Sequence, residues 1–156
     1  MVFQDLWTSL NPRMTIGVQI AEPLQVHRGY SYRKAFKEAI HLLELTKIPE
    51  AAKRAQQYPF EFSGGMLQRA MIAMAISCKP SILIADEPPT ALDVTIQAHI
   101  LDLMRGLKKD FGTAIILITH DLGGVAGICD RVMVLYAGEQ VPYDHIQDLS
   151  HPPLLH

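Results

Sequence analysis

The chain has 156 residues and a formal net charge of -2, with charged side chains at 19% and hydrophobic side chains at 49% of the sequence. This length suits one domain with a core of its own. The near balance of charge argues against a polybasic protein that binds nucleic acid or a membrane surface. The hydrophobic content and the ordinary frequencies of glycine and proline, ten of each, argue against disordered and collagen-like chains. We therefore expect a globular protein.

The cysteines and the apolar runs argue against a disulfide-stapled secreted protein and a membrane-spanning one. Cys78 and Cys129 stand far apart in the sequence. A small secreted scaffold needs more cysteines, so we expect reduced core side chains. The longest apolar tract, residues 70–76, is far shorter than the roughly 20 residues of a membrane span. We expect any contact with a membrane to go through partner proteins.

The first part of the chain, up to about Tyr58, is polar and is predicted to be helical. Proline and glycine interrupt regular structure, and they predict breaks in this part. These breaks are expected at Asn11, Pro12, Pro23, Gly29 and Pro49. The stretch 32–46 is the clearest helix, because Phe36, Ile40 and Leu43 are spaced at i, i+4 and i+7 and share one apolar face.

The second part alternates short apolar runs with a helical period. The runs 82–85, 114–118 and 132–136 are apolar, as in parallel strands that are covered on both faces. Between the first two runs, one helical face is formed by Ile96, Ile100, Leu103, Met104 and Leu107. A short helix is expected before the third run. This alternation of strands and helices predicts an α/β fold with a parallel sheet.

Polar residues follow the first two predicted strands. Asp86 and Glu87 come after the first strand, and His120 comes after the second. Parallel strands end at one edge of a sheet, and ligands of α/β folds bind outside that edge. Adjacent side chains of a strand point to opposite sides, so Asp86 and Glu87 are expected to have different roles. Two roles of this kind occur in nucleotide hydrolysis. Asp86 would hold Mg²⁺ through water, and Glu87 would orient and deprotonate the attacking water. The alternatives are a plain charged turn and, for His120, a histidine that caps the next helix.

Ser63, Gly64 and Gly65 precede a predicted helix over 66–76. Serine is a good N-cap, and glycine lets backbone N–H groups approach an anion at the positive end of a helix. On these three residues alone, an ordinary helix start is a better interpretation than an anion site.

The order and spacing of several segments change that interpretation. These segments are F-S-G-G-M-L-Q-R at 62–69, I-L-I-A-D-E-P at 82–88, A-L-D at 91–93 and I-T-H-D at 118–121. In this succession the chain resembles the nucleotide-binding subunits of ABC transporters, and in particular the ATP-binding subunits of bacterial oligopeptide and dipeptide importers. The resemblance runs from Met1 to about Gly138. The stretch V-A-G-I-C-D at 125–130 favours the oligopeptide branch.

The resemblance implies a partial ABC ATPase core of the P-loop NTPase type, an α/β fold with a parallel sheet, plus a helical subdomain. The helical subdomain is expected at about 15–58 and the core, with the signature and catalytic segments, at about 59–138. Residues 139–156 would begin a C-terminal tail. The implied activity is ATP hydrolysis that drives oligopeptide or dipeptide import.

Site roles also follow from the resemblance, position by position. Gln4 matches the Q-loop glutamine, which reaches Mg²⁺ and senses the transmembrane partner. Asp86 matches the metal-linked Walker B aspartate, and Glu87 and His120 match the catalytic glutamate and the switch histidine. Asp93 matches a residue at the dimer seam. The ABC signature, which contacts the γ-phosphate bound by the other subunit of a head-to-tail dimer, is matched by Ser63, Gly64, Gly65 and Met66.

The implied cofactors are ATP and Mg²⁺. The implied partners are transmembrane permease subunits, a second ATP-binding subunit and, indirectly, a peptide-binding protein, with no nucleic acid. The implied location is the cytoplasmic face of the bacterial cell membrane, where the protein would be peripheral.

The phosphate loop of the family, G-x-x-x-x-G-K-[ST], does not occur in the sequence, since none of the lysines follows a glycine. We therefore expect a fragment that is inactive alone, from a truncated gene, a misassigned start or a longer reading frame. Apolar faces and an open sheet edge are expected to be exposed. The sequence also departs from the family at Phe60, where histidine is common, and at Pro89, where threonine is usual.

Other functions are left open by the sequence. A non-catalytic module could keep the helical subdomain for docking on a permease, and related nickel and glutathione importers use similar subunits. An ABC-type ATPase of DNA maintenance would share the signature and the acidic pair. The net charge of -2 and the lack of long heptad arms argue against that third alternative.

Overall fold

The computed structural model describes residues 1–2, 9–87, 94–120, 129–137 and 139–141. The chain divides into two compact units, 1–120 and 121–156. The first unit contains helices α1 (Ile16–Arg28), α2 (Tyr32–Leu45), α3 (Ala51–Arg54), α4 (Gly64–Ile76) and α5 (Val94–Phe111). It also contains a short 3₁₀ helix (Pro59–Glu61) and strands β1 (Ile82–Asp86) and β2 (Ala114–Ile118). The second unit contains strands β3 (Val134–Tyr136) and β4 (Glu139–Val141).

The first N–H groups of helix α1 donate hydrogen bonds to two backbone carbonyls of the segment after α3. Ile16 N donates to Gln57 O at 2.9 Å, and Gly17 N donates to Ala55 O at 2.8 Å. A Cβ atom on Gly17 would lie 2.7 Å from Ala55 O, so only glycine allows this close approach. The N–H groups at this helix start are thereby satisfied within the protein.

The break predicted at Pro23 is wrong, because α1 continues through this residue to Arg28. A proline inside a helix has no N–H to donate and disfavours the helix by about 3 kcal/mol relative to alanine. Burial of Ile20 and Leu24 on the core face of α1 offsets that cost. The helix ends where predicted, at Gly29, whose φ of 63° is left-handed.

Helix α2 confirms the helix predicted over 32–46. It begins after Ser31, whose Oγ accepts from Lys34 N at 3.4 Å. Ala39 and Leu43 are buried, while Phe36 and Ile40 are partly buried against the same core. The predicted face is therefore the packed face, and α2 packs against both α1 and α4.

The first unit contains the predicted parallel pair of strands. β1 and β2 run parallel, with Ile82 opposite Ala114 and Asp86 opposite Ile118. Val2 lies on the other side of β1, where its N donates to Ile84 O at 2.8 Å and its O accepts from Asp86 N at 3.0 Å. The predicted face of α5 is buried through Ile100, Leu103, Met104 and Leu107, whereas the side chain of Ile96 lies outside the described residues.

The two faces of the β1–β2 sheet differ in burial. Leu83 and Ala85 on one face are buried. On the other face Ile82, Ile116 and Ile118 keep 57%, 50% and 48% of their surface exposed. Because a parallel sheet is ordinarily covered on both faces, this is the exposed apolar face that the sequence predicted.

In the second unit, β3 pairs antiparallel with β4, with Val134 opposite Val141. The run 132–136 was expected to be a strand of the parallel sheet; a strand is found at Val134–Tyr136, and the pairing described for it is with β4. An apolar run does not specify its partner, and here Ala137 turns the chain with a φ of 50°, which returns it as a hairpin. The short helix expected before this strand falls in 121–128, outside the described residues. Among the residues described, no helix combines the length and the apolar character needed to cross a membrane.

Candidate functional site

The residues that follow β1 and β2 lie at one edge of the parallel sheet. Asp86 ends β1 and faces Ile118, which ends β2. Glu87 N donates to Ile118 O at 2.9 Å, so the backbone pairing continues one residue beyond β1. His120, two residues past β2, is thereby brought next to Glu87. The two side chains are in contact, with 2.9 Å between His120 Nδ1 and Glu87 Oε1.

The contact determines which nitrogen of the His120 ring donates the hydrogen bond. An ionised carboxylate can only accept hydrogen bonds, so His120 Nδ1 carries the proton that is shared with Glu87 Oε1. The Glu87 side chain is 24% exposed and the His120 side chain 70%, so the pair lies at the surface, with the carboxylate on its more sheltered side. A solvent-accessible carboxylate held by a histidine is an arrangement that suits proton transfer.

Glu87 has an unusual backbone conformation, with a φ of 45°. A non-glycine residue in the left-handed region costs roughly 1–2 kcal/mol, and such conformations concentrate at functional sites. Here the conformation turns the chain out of β1 while Glu87 N keeps its bond to β2.

Asp86 is partly buried, and its backbone N–H is used by Val2. The described residues contain no group of three or more histidine, cysteine or acidic side chains that could hold a metal ion. The carboxylate of Asp86 is of the type that Mg²⁺ binds, commonly with one or two carboxylates and several waters.

The segment Ser63–Met66 forms the start of α4. Ser63 is the N-cap, as predicted, and its Oγ accepts from Met66 N at 3.4 Å. The helix begins at Gly64, two residues earlier than the sequence predicted, and its first N–H groups have no partners within the helix. Gly65 is buried, while Ser63 is exposed. Two other predicted site residues, Gln4 and Asp93, lie outside the described residues.

The sequence did not reveal the hydrogen-bonded turn that leads into this segment. Arg54 Nη1 donates to Gln57 Oε1 at 2.8 Å, and Gln57 Nε2 donates to Glu61 Oε1 at 3.3 Å. Glu61 Oε2 then accepts from Tyr58 N at 2.7 Å, which caps the 3₁₀ helix. The sequence signal for this turn is Pro59 two positions before Glu61, a spacing that is typical of a capped helix start.

A second polar cluster was also missed. The Gln19 side chain is buried, accepts from Asn11 N at 2.8 Å and donates to Asn11 O at 3.0 Å and to Met14 O at 2.9 Å. It thus fixes the loop before α1, next to an open cavity of about 500 Å³ lined in part by Glu22 and Met74. A glutamine between Ile16 and Ile20 on the apolar face was the available signal.

Comparison with known proteins identifies the family. The family model described as ABC transporter matches residues 1–90. The chain belongs to the ABC transporter family. A similar solved structure is the dimeric structure of a post-hydrolysis state of the ATP-binding cassette MJ0796 bound to ADP and Pi. The match has a TM-score of 0.80 and 30% sequence identity, and it covers 93% of this chain and 61% of that chain. The α/β fold with a parallel sheet is thereby confirmed as that of an ABC cassette.

Two relatives place the chain within this family. The oligopeptide transport ATP-binding protein OppD of Salmonella typhimurium is 56% identical over 154 residues, which are 99% of this chain and 46% of that protein. The glutathione import ATP-binding protein GsiA of Salmonella paratyphi A is 51% identical over 98% of this chain and 25% of that protein. This ABC transporter chain spans about half the length of the OppD protein that it matches.

Proposed function

We propose that this chain supplies the signature segment and the catalytic edge of an ATP-hydrolysing subunit that drives oligopeptide import across a bacterial membrane. The observation that carries the proposal is the contact of 2.9 Å between His120 Nδ1 and Glu87 Oε1, at the edge where two parallel strands end. Identity of 56% to an oligopeptide transport ATP-binding protein supports the cargo class.

Glu87 is the proposed general base. Its carboxylate would accept a proton from the water that attacks the terminal phosphate, a role that contributes typically about 10²–10⁴-fold to a rate. His120 holds Glu87 Oε1 through Nδ1–H, and in the doubly protonated ring its Nε2–H is proposed to donate to the terminal phosphate. With the two groups joined, His120 orients the base as well as the substrate.

Asp86 and Gln4 are the residues proposed to hold Mg²⁺. Their carboxylate and amide oxygens suit this cation, which commonly keeps several waters and shares its coordination with phosphates. Bound Mg²⁺ supplies positive charge that offsets the charge of the phosphates.

The proposed partners are a second ATP-binding subunit and the permease. The signature residues Ser63, Gly64, Gly65 and Met66 would contact a nucleotide held by the second subunit, with Asp93 at the seam between the subunits. The dimeric state of the MJ0796 cassette supports this arrangement. The helical part, about 15–58, would dock on the permease at the cytoplasmic face of the membrane, and a peptide-binding protein would act through the permease.

The proposal is tested by mixing the chain with a full-length oligopeptide-importer subunit that has its own G-x-x-x-x-G-K-[ST] loop. We expect the chain to raise phosphate release by the partner, because its signature segment completes the partner's nucleotide site. Ser63→Arg should abolish this increase. Glu87→Gln should preserve it, because the base for that nucleotide belongs to the partner. An increase that is absent, or that survives Ser63→Arg, contradicts the proposal.

A second candidate cargo is glutathione, which the relationship to GsiA supports. The candidates are separated by adding the chain to permeases of either kind and measuring co-purification. Preferential association with an oligopeptide permease is expected.

A further inference from the structure

Two aromatic rings are stacked on the surface immediately before the signature segment. The ring centroids of Tyr58 and Phe60 are 5.6 Å apart, and their planes differ by 6°. Tyr58 is 39% exposed and Phe60 is 67% exposed. We call this pair the aromatic platform. Phe60 contributes little to the core, because most of its surface stays in water.

The backbone under the aromatic platform is fixed on both sides. Pro59 sets one backbone angle of the 3₁₀ helix, and Glu61 Oε2 holds Tyr58 N at 2.7 Å. The next residue, Phe62, is 5% exposed and anchors the segment in the core. The two rings are thus held in place before any ligand arrives, which lowers the entropic cost of binding a flat molecule to them.

The aromatic platform is close to the start of α4. Phe60 lies three residues before Ser63, so their Cα atoms are at most about 10–11 Å apart along the chain. Ser63 is exposed, and it caps the helix whose first N–H groups are proposed to meet a terminal phosphate. A nucleoside triphosphate is long enough for its phosphates to reach that helix start while its base reaches the platform.

We propose that the aromatic platform of Tyr58 and Phe60 binds the purine base of the nucleotide whose terminal phosphate meets the signature segment. This inference rests on the proposed function and assigns to it a base-binding subsite. A purine is flat and uncharged, so it can stack on the open face of Phe60. Stacking of a base on an aromatic side chain is favourable and tolerant of sequence. In a head-to-tail dimer the same base would be held on one side by the subunit that binds the phosphates and on the other by Phe60.

The test measures binding of ATP and of tripolyphosphate to the isolated 156-residue chain by nuclear magnetic resonance titration. We expect ATP to bind more tightly than tripolyphosphate and to shift the ring protons of Phe60 and Tyr58. Phe60→Ala should weaken ATP binding by about fivefold or more and leave tripolyphosphate binding unchanged. Phe60→Trp should restore ATP binding. Phe60→Leu should not, because it keeps apolar surface without a flat face.

Tyr32→Ala is the matched control. Tyr32 is 55% exposed and its ring pairs with that of Phe36 at 5.8 Å, but this pair lies on α2, away from the signature segment in the chain. The variant should bind ATP like the wild type. Two results would overturn the platform and leave the proposed function standing. One is that Phe60→Ala binds ATP as tightly as the wild type does. The other is that the wild type binds tripolyphosphate as tightly as it binds ATP. Failure of the wild type to bind ATP also overturns the platform, whereas the proposed function is overturned only by the separate measurement of phosphate release with the full-length partner.

Discussion

His120 Nδ1 lies 2.9 Å from Glu87 Oε1, although the two residues are 33 positions apart in the chain. The contact follows from the register of the sheet, which places the ends of β1 and β2 opposite each other. Two side chains that leave neighbouring parallel strands at the same edge meet without any further element to guide them. The juxtaposition of these two side chains is therefore a product of strand pairing.

The first prediction concerns the imidazole of His120. Because Glu87 accepts a hydrogen bond from Nδ1, the neutral ring should carry its proton on Nδ1. Glu87→Ala removes the acceptor, so the proton should move to Nε2 in a larger share of molecules. Two-bond ¹H–¹⁵N correlation spectra of the imidazole report the tautomer. His99, which is exposed on α5, should give the same spectrum in both proteins. An unchanged His120 spectrum would mean that the contact does not form in solution.

The second prediction is that the chain alone does not hydrolyse ATP. Phosphoryl transfer depends on positioning and on neutralising the phosphates, and the 156 residues contain no G-x-x-x-x-G-K-[ST] loop to do so. Phosphate release by the purified chain should equal that of its Glu87→Gln variant. Release that exceeds this variant would show that the described edge can act without such a loop.

A third prediction compares two helical glycines. Gly17→Ala places a Cβ 2.7 Å from Ala55 O and from Phe36 Cε2, and the overlap should lower the free energy of unfolding by about 1–3 kcal/mol. Gly106→Ala in α5 meets nothing within 4 Å. It should raise the free energy of unfolding by about 0.5–1 kcal/mol, because alanine favours a helix more than glycine does.

Urea denaturation followed by circular dichroism measures both changes in this pair of variants. Opposite signs are expected for the same chemical substitution. A loss of stability in Gly106→Ala, or none in Gly17→Ala, would contradict the packing described for α1.

The sequence predicted those parts of the fold that depend on local pattern. The spacing of Phe36, Ile40 and Leu43 was sufficient for α2, and the apolar runs were sufficient for β1 and β2. The edge rule for parallel strands then predicted that Glu87 and His120 lie together, as they do. For α2, β1 and β2 the signal and the structure are set by the same short stretch of chain, and the meeting of Glu87 and His120 then follows from the pairing of two such strands.

The features that the sequence did not predict depend on contacts across the chain. Pro23 stays inside α1 because burial of neighbouring side chains outweighs a local penalty that the sequence shows plainly. The antiparallel pairing of β3 with β4 depends on the turn at Ala137, which the apolar run of β3 does not encode. The stacking of Tyr58 on Phe60 depends on a hydrogen-bonded turn. Neither ring belongs to a helical or strand-like spacing of apolar residues from which their contact could have been predicted.

The last prediction concerns the exposed face of the β1–β2 sheet. Ile116 is 50% exposed, whereas Ile115 is partly buried against the core, and adjacent residues of a strand point to opposite faces. Ile116→Lys should therefore leave the free energy of unfolding within about 0.5 kcal/mol of the wild type. It should also slow aggregation, because a charge on an open apolar sheet face blocks association between chains.

Ile115→Lys is the control, because it places the same charge on the packed face of the sheet. It should lower the free energy of unfolding by more than about 2 kcal/mol. Light scattering at 37 °C together with urea denaturation separates the two effects. If Ile116→Lys aggregated as fast as the wild type while folding normally, association would have to proceed through a different surface than this face of the sheet.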